Sequence, residues 1–352
     1  MAIAYPDFFF DGFDSLFASA QMQEEWIFTD ALALYVITTH AQFGGDACIR
    51  TRGASNQSAA LGRVLSTDYD YVLMGYRGYN AGIDATGTPS PIFFTSAAGA
   101  ARLYVLLVNG SSGDVSVRVG APLGAEILAV AAYFVAGPAF YEVEVYVHAV
   151  DGFVGLYRDG NLMGSFAGDT SAIGGDIGRV YMKATNGSSA VNTYHRDFYC
   201  CGLTGWATEG ENNLGPGEAE ILLPDSDESV DFTPTEGDNH SGVDDAPNDE
   251  DATYNESETD GDDDIFGHPG YGGSSDVFAV AVEYVARKTD AGVLKLQPVL
   301  ISGAVRSDGP DFVPSDTHQQ RLGEVYLVDP EDSGAWSTAR VDALTFGYEN
   351  LT

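Results

Sequence analysis

Apolar and polar residues alternate along this chain with a period of two, and helical spacing is nearly absent. The stretch from Val143 to Thr170 shows the pattern most clearly. Val143, Val145, Val147 and Ala149 share one face of an extended strand, and Glu144, Tyr146, His148 and Val150 share the other. Asp151-Gly152 then supplies a dipeptide that tolerates the positive φ of a tight hairpin. Phe153 to Arg158 reads as the return strand, Asp159-Gly160 as the next turn, and Leu162 to Phe166 as a third strand. Further strands are expected at Asp70 to Tyr76, Pro91 to Thr95, Arg102 to Val108, Val115 to Val119 and Tyr133 to Val135. Asn109-Gly110 marks one more hairpin, prolonged by Ser112-Gly113-Asp114. A short stretch, Asp14 to Trp26, half satisfies the helical rule. The apolar run Ile127 to Tyr141 is broken at Gly137-Pro138 and is too short to span a bilayer, so buried strands are expected there.

The pattern divides the chain in three. Residues 1–208 are expected to form a two-sheet sandwich with a core of alternating inward side chains. Asn212 to Glu218 is polar, with Gly, Pro and Gly, and reads as a boundary. Residues 209–270 are expected as an acidic linker or extended arm, since Asp225 to Asp264 contains no Lys or Arg. Phe232, Tyr254 and Phe266, with Pro234 and Pro247, leave open a loop-rich start to the next domain. Residues 271–352 form a small β domain with strands at Val277 to Ala286, Leu294 to Ile301, Glu324 to Val328 and Val341 to Tyr348. The turn between the first two falls at Thr289 to Gly292, and Pro298 implies an edge or a bulge.

Charge narrows the function. Fifty-two acidic residues against 16 basic ones give a net charge of −36. Such a field repels nucleic acid and anionic membranes, and neither is expected as a partner. Lysine is confined to Lys183, Lys288 and Lys295. This balance suits concentrated salt, where the Debye length falls to about 3 Å at 1 M and self-repulsion is muted. The opening MAIAYPDFFFDGF lacks a basic segment and is not read as a secretory leader. Cys48 stands alone and Cys200-Cys201 are adjacent, so all three are expected as small buried apolar residues.

Phe10-Asp11-Gly12-Phe13-Asp14, the meander Tyr141 to Thr170 and the stretch Ile177 to Gly202 resemble the concanavalin A-like, laminin-G-type sandwiches of tailed-virus structural proteins. Arg196-Asp197-Phe198 departs from the Asp-Asp-aromatic stretch common there. Ala219 to Asp231, Phe232-Thr233-Pro234, Asn239-His240, Val243-Asp244-Asp245, Tyr284 to Gly292 and Trp336 to Gly347 resemble the companion module of those proteins. The resemblance implies an all-β particle component of a phage or haloarchaeal virus: a concanavalin-like jelly-roll sandwich, an acidic extended segment and a smaller β domain. It implies assembly in the host cytoplasm, with other virion proteins as partners. Two roles follow. One is a homo-oligomeric appendage, trimeric or pentameric (tail fibre, baseplate spike or capsid turret), that meets a host surface glycan. The other is a capsid decoration protein that binds only the shell.

Candidate chemistry is sparse, and no catalytic, cofactor or metal residue is assigned. The fold also hosts glycoside hydrolases, which need two carboxylates about 5–5.5 Å apart for retention or about 6.5–9.5 Å for inversion. Glu142 and Glu144 share a strand face, which is expected to be solvated. Hydrolytic relatives carry a third acid where this chain has Tyr146, so the chain is not expected to be an enzyme, and a glycoside hydrolase stays as the remote alternative. His40, His148, His195, His240, His268 and His318 lack a nucleophile context such as G-x-S-x-G. Calcium is the one ion with suggestive residues. Glu258, Asp260, Asp262 and Asp264 fall at every second position, and Asp225, Asp227 and Asp231 form a looser group, but Ile265 stands where an EF-hand needs Gly. Tyr76, Tyr79 and Asn80, with Asn186 and Tyr194, are the residues suited to a sugar platform.

Overall fold

A computed structural model describes residues 7–11, 27–28, 35–39, 41, 47–52, 60–80, 91–108, 113–183, 192–204, 213–245, 249, 251–273, 276–289 and 292–352. The described residues divide into two compact units, one ending at Ala219 and one running from Glu220 to Thr352. Every strand pairing within them is antiparallel.

The first unit is a jelly-roll sandwich of two sheets. Its strands are β1 (Asp7–Asp11), β2 (Ile27–Phe28), β3 (Tyr35–Thr39), β4 (Ala47–Arg52), β5 (Ala60–Tyr69), β6 (Tyr71–Asn80), β7 (Ile92–Thr95) and β8 (Ala101–Leu107). They continue with β9 (Val115–Val119), β10 (Glu126–Val130), β11 (Pro138–Tyr146), β12 (Gly152–Arg158), β13 (Asn161–Gly168), β14 (Ile177–Lys183) and β15 (Asn192–Leu203). The larger sheet runs β13-β12-β11-β6-β15-β4-β3, with β1 also on β15; the second runs β10-β9-β8-β7-β14-β5-β2. The chain passes repeatedly between the two. Inward positions are fully buried: Val72, Met74, Val143, Val145, Val154 and Leu156 from one sheet, and Ile92, Phe94, Leu103, Val105, Val117 and Val180 from the other. Cys48, Cys200 and Cys201 are buried and form no disulfide.

The meander falls at β11, β12 and β13, but its first turn is not the tight Asp151-Gly152 hairpin: residues 147–151 connect the strands, Gly152 already belongs to β12, and neither Asp151 nor Gly152 takes positive φ. Asp159 and Gly160 both take positive φ, +50° and +77°, in the turn between β12 and β13. Tyr133 to Val135 is a loop instead of a strand. It tucks inward because Tyr133 and Phe134 pack on Tyr141, with ring centroids 5.5 and 4.7 Å away, and the Tyr133 hydroxyl donates to the Glu142 carbonyl at 3.0 Å. The helix candidate Asp14 to Trp26 and the Asn109-Gly110 turn lie outside the described residues.

The second unit begins within the acidic tract. It comprises β16 (Ser226–Val230), β17 (Thr233–Pro234), β18 (Asn255–Glu256), β19 (Asp263–Gly267), β20 (Val280–Ala286), β21 (Lys295–Ser302), β22 (Val305–Asp308), β23 (Gln319–Tyr326), helix α1 (Thr338–Asp342) and β24 (Thr345–Leu351). A five-stranded sheet runs β16-β19-β24-β21-β22, beside the ribbons β17-β18 and β20-β23. Two of its strands, β16 and β19, come from the stretch that composition marked as a linker. Extended chain there is paired main chain, which tolerates acids on its exposed side. Val341 to Tyr348, expected as one strand, is strand only from Thr345: Val341 and Asp342 close helix α1, whose N-cap Ser337 accepts the Arg340 N–H, and Val341 and Leu344 cluster with Val282, Leu300 and Trp336. Pro298 sits beyond the reach of β22, whose register covers Val299 to Ser302, so its missing N–H leaves no gap in that ladder.

Candidate functional site

The residues that carry chemistry gather on the face of the larger sheet that points away from the sandwich core. Register places them in rows. Tyr157 on β12, Glu142 on β11, Gly75 on β6 and Tyr199 on β15 are successive cross-strand partners. Partners directly opposite in an antiparallel ladder share a face. Gly75 is required by this row, since a Cβ there would lie 2.6 Å from Tyr199 Cζ. One step along, Glu144 pairs with Leu73 and Gly155, and beyond it Tyr146 pairs with Tyr71 and Phe153. In the other direction stand Phe140, Arg77 and Arg196, then Tyr79 and Tyr194.

Glu142 and Glu144 are buried, each 1% exposed, where a solvated face was expected. Their surroundings explain this. The Tyr71 and Tyr157 hydroxyls donate to the two oxygens of Glu144 at 3.0 and 2.8 Å. The Gly215 N–H donates to Glu142 Oε2 at 3.0 Å. Oε1 of Glu142 has no hydrogen bond of good geometry, although the Tyr199 hydroxyl stands near enough to favour its charge. Desolvation dominates, reinforced by the like charge of Glu144, and pushes the Glu142 carboxyl up to about 8. Burial and the neighbouring carboxylates raise the Tyr157 and Tyr199 hydroxyls as well.

The cover is residues 213–219. Beyond Gly215, Pro216 reaches Gly160, and a Cβ on Gly160 would lie 3.2 Å from its Cδ. The Ala219 N–H reaches Asp197 Oδ1 at 3.3 Å, and Glu218 lies 3.9 Å from Arg196. Asp197 occupies an irregularity in β15 between Arg196 and Tyr199, at a φ of +49° that only a local constraint sustains. Its carboxylate receives Arg77 Nε at 2.8 Å and Arg196 Nε at 3.1 Å. Desolvation raises its pKa while the two guanidinium groups pull it down. Alternation finds Glu142 and Glu144, but it cannot find a hub built on a bulge or a cover from a distant segment. The interior glycines Gly75 and Gly155 were the available signal that large side chains lean across these strands.

Other predicted residues disperse. Tyr76 is core, packed on Tyr141 and His195 at centroid distances of 5.7 and 5.2 Å. His195 is fully buried, and desolvation lowers its pKa to about 3. Tyr79 and Tyr194 do come together, half-buried and 6.0 Å apart at one end of the face. The Asn80 side chain, Asn186 and His40 lie outside what the structure describes. His148 accepts from the Asp151 N–H, His240 pairs with Asp227, His268 contacts the Val341 carbonyl, and His318 lies 3.3 Å from Asp251.

The acids proposed for calcium do not converge. Glu258 is exposed, Asp260 accepts from the Thr352 N–H, and Asp262 accepts from Ser257. Asp264 is fully buried and saturated: Oδ1 takes the N–H groups of Asp231 and Phe232, and Oδ2 takes Asn239, Asn255 and the Tyr348 hydroxyl. Asp225, Asp227 and Asp231 serve Ser226, His240 and the Asp263 N–H separately. Among the described residues no group of three His, Cys, Asp or Glu side chains is placed to hold a metal ion. No described helix is long and apolar enough to cross a membrane.

No family model matches the sequence, and no curated protein matches it. Solved structures similar to this chain include an endo-1,3-beta-glucanase from Streptomyces sioyaensis, at 12% identity over 58% of this chain and 100% of that chain, with a TM-score of 0.39. The lectin UEA-II complexed with galactose is similar at 11% identity, 57% and 100% coverage and a TM-score of 0.36. The exoplasmic/lumenal domain of VIP36, in its Ca2+/Man3GlcNAc-bound form, is similar at 13% identity, 58% and 95% coverage and a TM-score of 0.36.

Proposed function

We propose that this protein is a non-enzymatic adhesive component of a tailed virus particle, whose jelly-roll unit meets a glycan at a host surface. The observation that carries the non-enzymatic part is the state of Glu142 and Glu144. A hydrolase needs one carboxylate free to attack or activate water and an acid within reach of the leaving oxygen. Here Glu144 spends both oxygens on tyrosine hydroxyls, and Glu142 lies under Gly215. Tyr146 stands where a third acid would be needed, and a phenol is a far weaker proton donor at neutral pH. What favours adhesion is the same face beyond the cover, where Tyr79 and Tyr194 offer half-buried rings beside Arg77. The particle setting rests on the sequence resemblance and on a surface charge suited to brine.

Purified protein should bind host cells or envelope glycans in molar salt, and Tyr79→Ala with Tyr194→Ala should weaken that binding at least tenfold. Binding to emptied shells without host affinity would favour the capsid-decoration role. Release of reducing sugar that Glu142→Gln abolishes would overturn the non-enzymatic reading.

A further inference from the structure

We infer that the flank formed by β10 and β13 is the surface through which two copies of this chain associate. The two strands end their respective sheets, and among the described residues no strand pairs with the outer side of either. They lie side by side: a Cβ on Gly164 in β13 would meet Val130 of β10 at 2.6 Å. Both therefore present unpaired main-chain N–H and C=O groups along one side of the sandwich.

Sequence sets this flank apart from the rest of the molecule. In a chain of net charge −36, residues 119–141 contain one charged side chain, Glu126, and residues 160–168 contain none. Glu126 is already engaged by Arg118 at 3.5 Å and by Ser116. Leu123 is 87% exposed and Leu162 53% exposed, with Ala121, Pro122, Ala125 and Ala129 also at the surface. Exposed edge strands are ordinarily guarded by lysine, inward charges or proline. Neither strand carries a lysine or a proline. Each has one irregularity near an end, between Glu126 and Leu128 in β10 and opposite Leu156 and Tyr157 in β13. The nearby charges, Asp159 and Asp169, fall in the turns that bound β13.

Electrostatics selects the occupant. A basic partner would be drawn to the acidic surfaces and gain nothing from a neutral flank. A second copy is repelled wherever acid meets acid, so an uncharged flank suits close approach. Pairing β13 with β13 of another copy is antiparallel and self-facing, so it closes at two copies, fewer than the three or five the sequence resemblance implied.

The full chain, at 1–100 µM in 2 M NaCl, should sediment at twice the monomer mass. Lowering salt to 0.1 M should loosen the dimer, because the Debye length grows to about 10 Å and the remaining acids repel. Leu162→Asp with Ser165→Asp should raise the dissociation constant at least tenfold while leaving the far-ultraviolet circular dichroism unchanged. Leu123→Asp, in an exposed loop of the same flank, should do likewise if the double variant misfolds. Val230→Asp, on the exposed strand β16, should leave the dimer intact. A wild-type chain that stays monomeric at 100 µM, or flank variants that stay dimeric, would overturn the inference.

Discussion

Replacing Glu142 with Gln isolates the electrostatics of the covered face. Gln keeps the shape of a protonated Glu, still accepts the Gly215 N–H through its amide oxygen, and never ionises. In the wild type, burial holds the Glu142 carboxyl at about 8 against an ordinary 4.5. A folded-state pKa above the unfolded one means that proton binding favours the native chain. That stabilisation is whole below about pH 4.5, drains as pH rises, and is gone above about pH 8. The interval from 4.5 to about 8 corresponds to roughly 5 kcal/mol, at about 1.36 kcal/mol per pH unit. Glu142→Gln should therefore match the wild type at pH 4 and exceed it progressively to pH 9, by an amount approaching that figure. Urea unfolding at fixed NaCl concentration, followed by tyrosine and tryptophan fluorescence from pH 4 to 9, measures the difference. The wild type has a cheaper escape, release of residues 213–219 so that water reaches the carboxylate. In that case the global difference shrinks, and amide exchange at Gly215 accelerates above neutral pH in the wild type alone. Parallel pH profiles together with equal Gly215 exchange would refute the reasoning.

Three further outcomes follow from the same contacts. Asp264→Ala strands the donors of Asp231, Phe232, Asn239, Asn255 and Tyr348; it should cost the second unit about 3–5 kcal/mol, read as early loss of amide protection in β16 and β19. Asp197→Ala removes the buried carboxylate that Arg196 and Arg77 share; thermal unfolding should report a loss of about 3–5 kcal/mol, and an unchanged melting point would show that the pair is solvated. Gly75→Ala drives a methyl into Tyr199; it should destabilise by about 1–3 kcal/mol, and Gly75→Ala combined with Tyr199→Leu should recover part of that in denaturant titrations.

Most strands were legible because alternation and the Asp159-Gly160 turn act over a few residues. Val143, Val145, Val154 and Leu156 face inward as their periodicity requires. The polar half of that alternation misled, because part of what shields Glu142 and Glu144 comes from 73 positions away: the Gly215 N–H on Glu142 and the Tyr71 hydroxyl on Glu144. Composition misled in the acidic tract for a related reason. It counted the charge of Asp264 and could not see that the donors gathered on that carboxylate make it a fastening point. Tyr79 and Tyr194 were individually named, but only the register of β6 with β15 makes them a pair.

The segment over the carboxylate face is anchored by the main-chain amides of Gly215 and Ala219, not by what those residues carry beyond Cα. Apart from Pro216 against Gly160 and Glu218 near Arg196, its letters are free to drift, with two further restrictions. Position 215 holds a φ of +74° that favours glycine, and proline at 219 would delete a donor. A cover fastened mainly through its backbone leaves a sparse signature for sequence comparison to detect, even where it is retained.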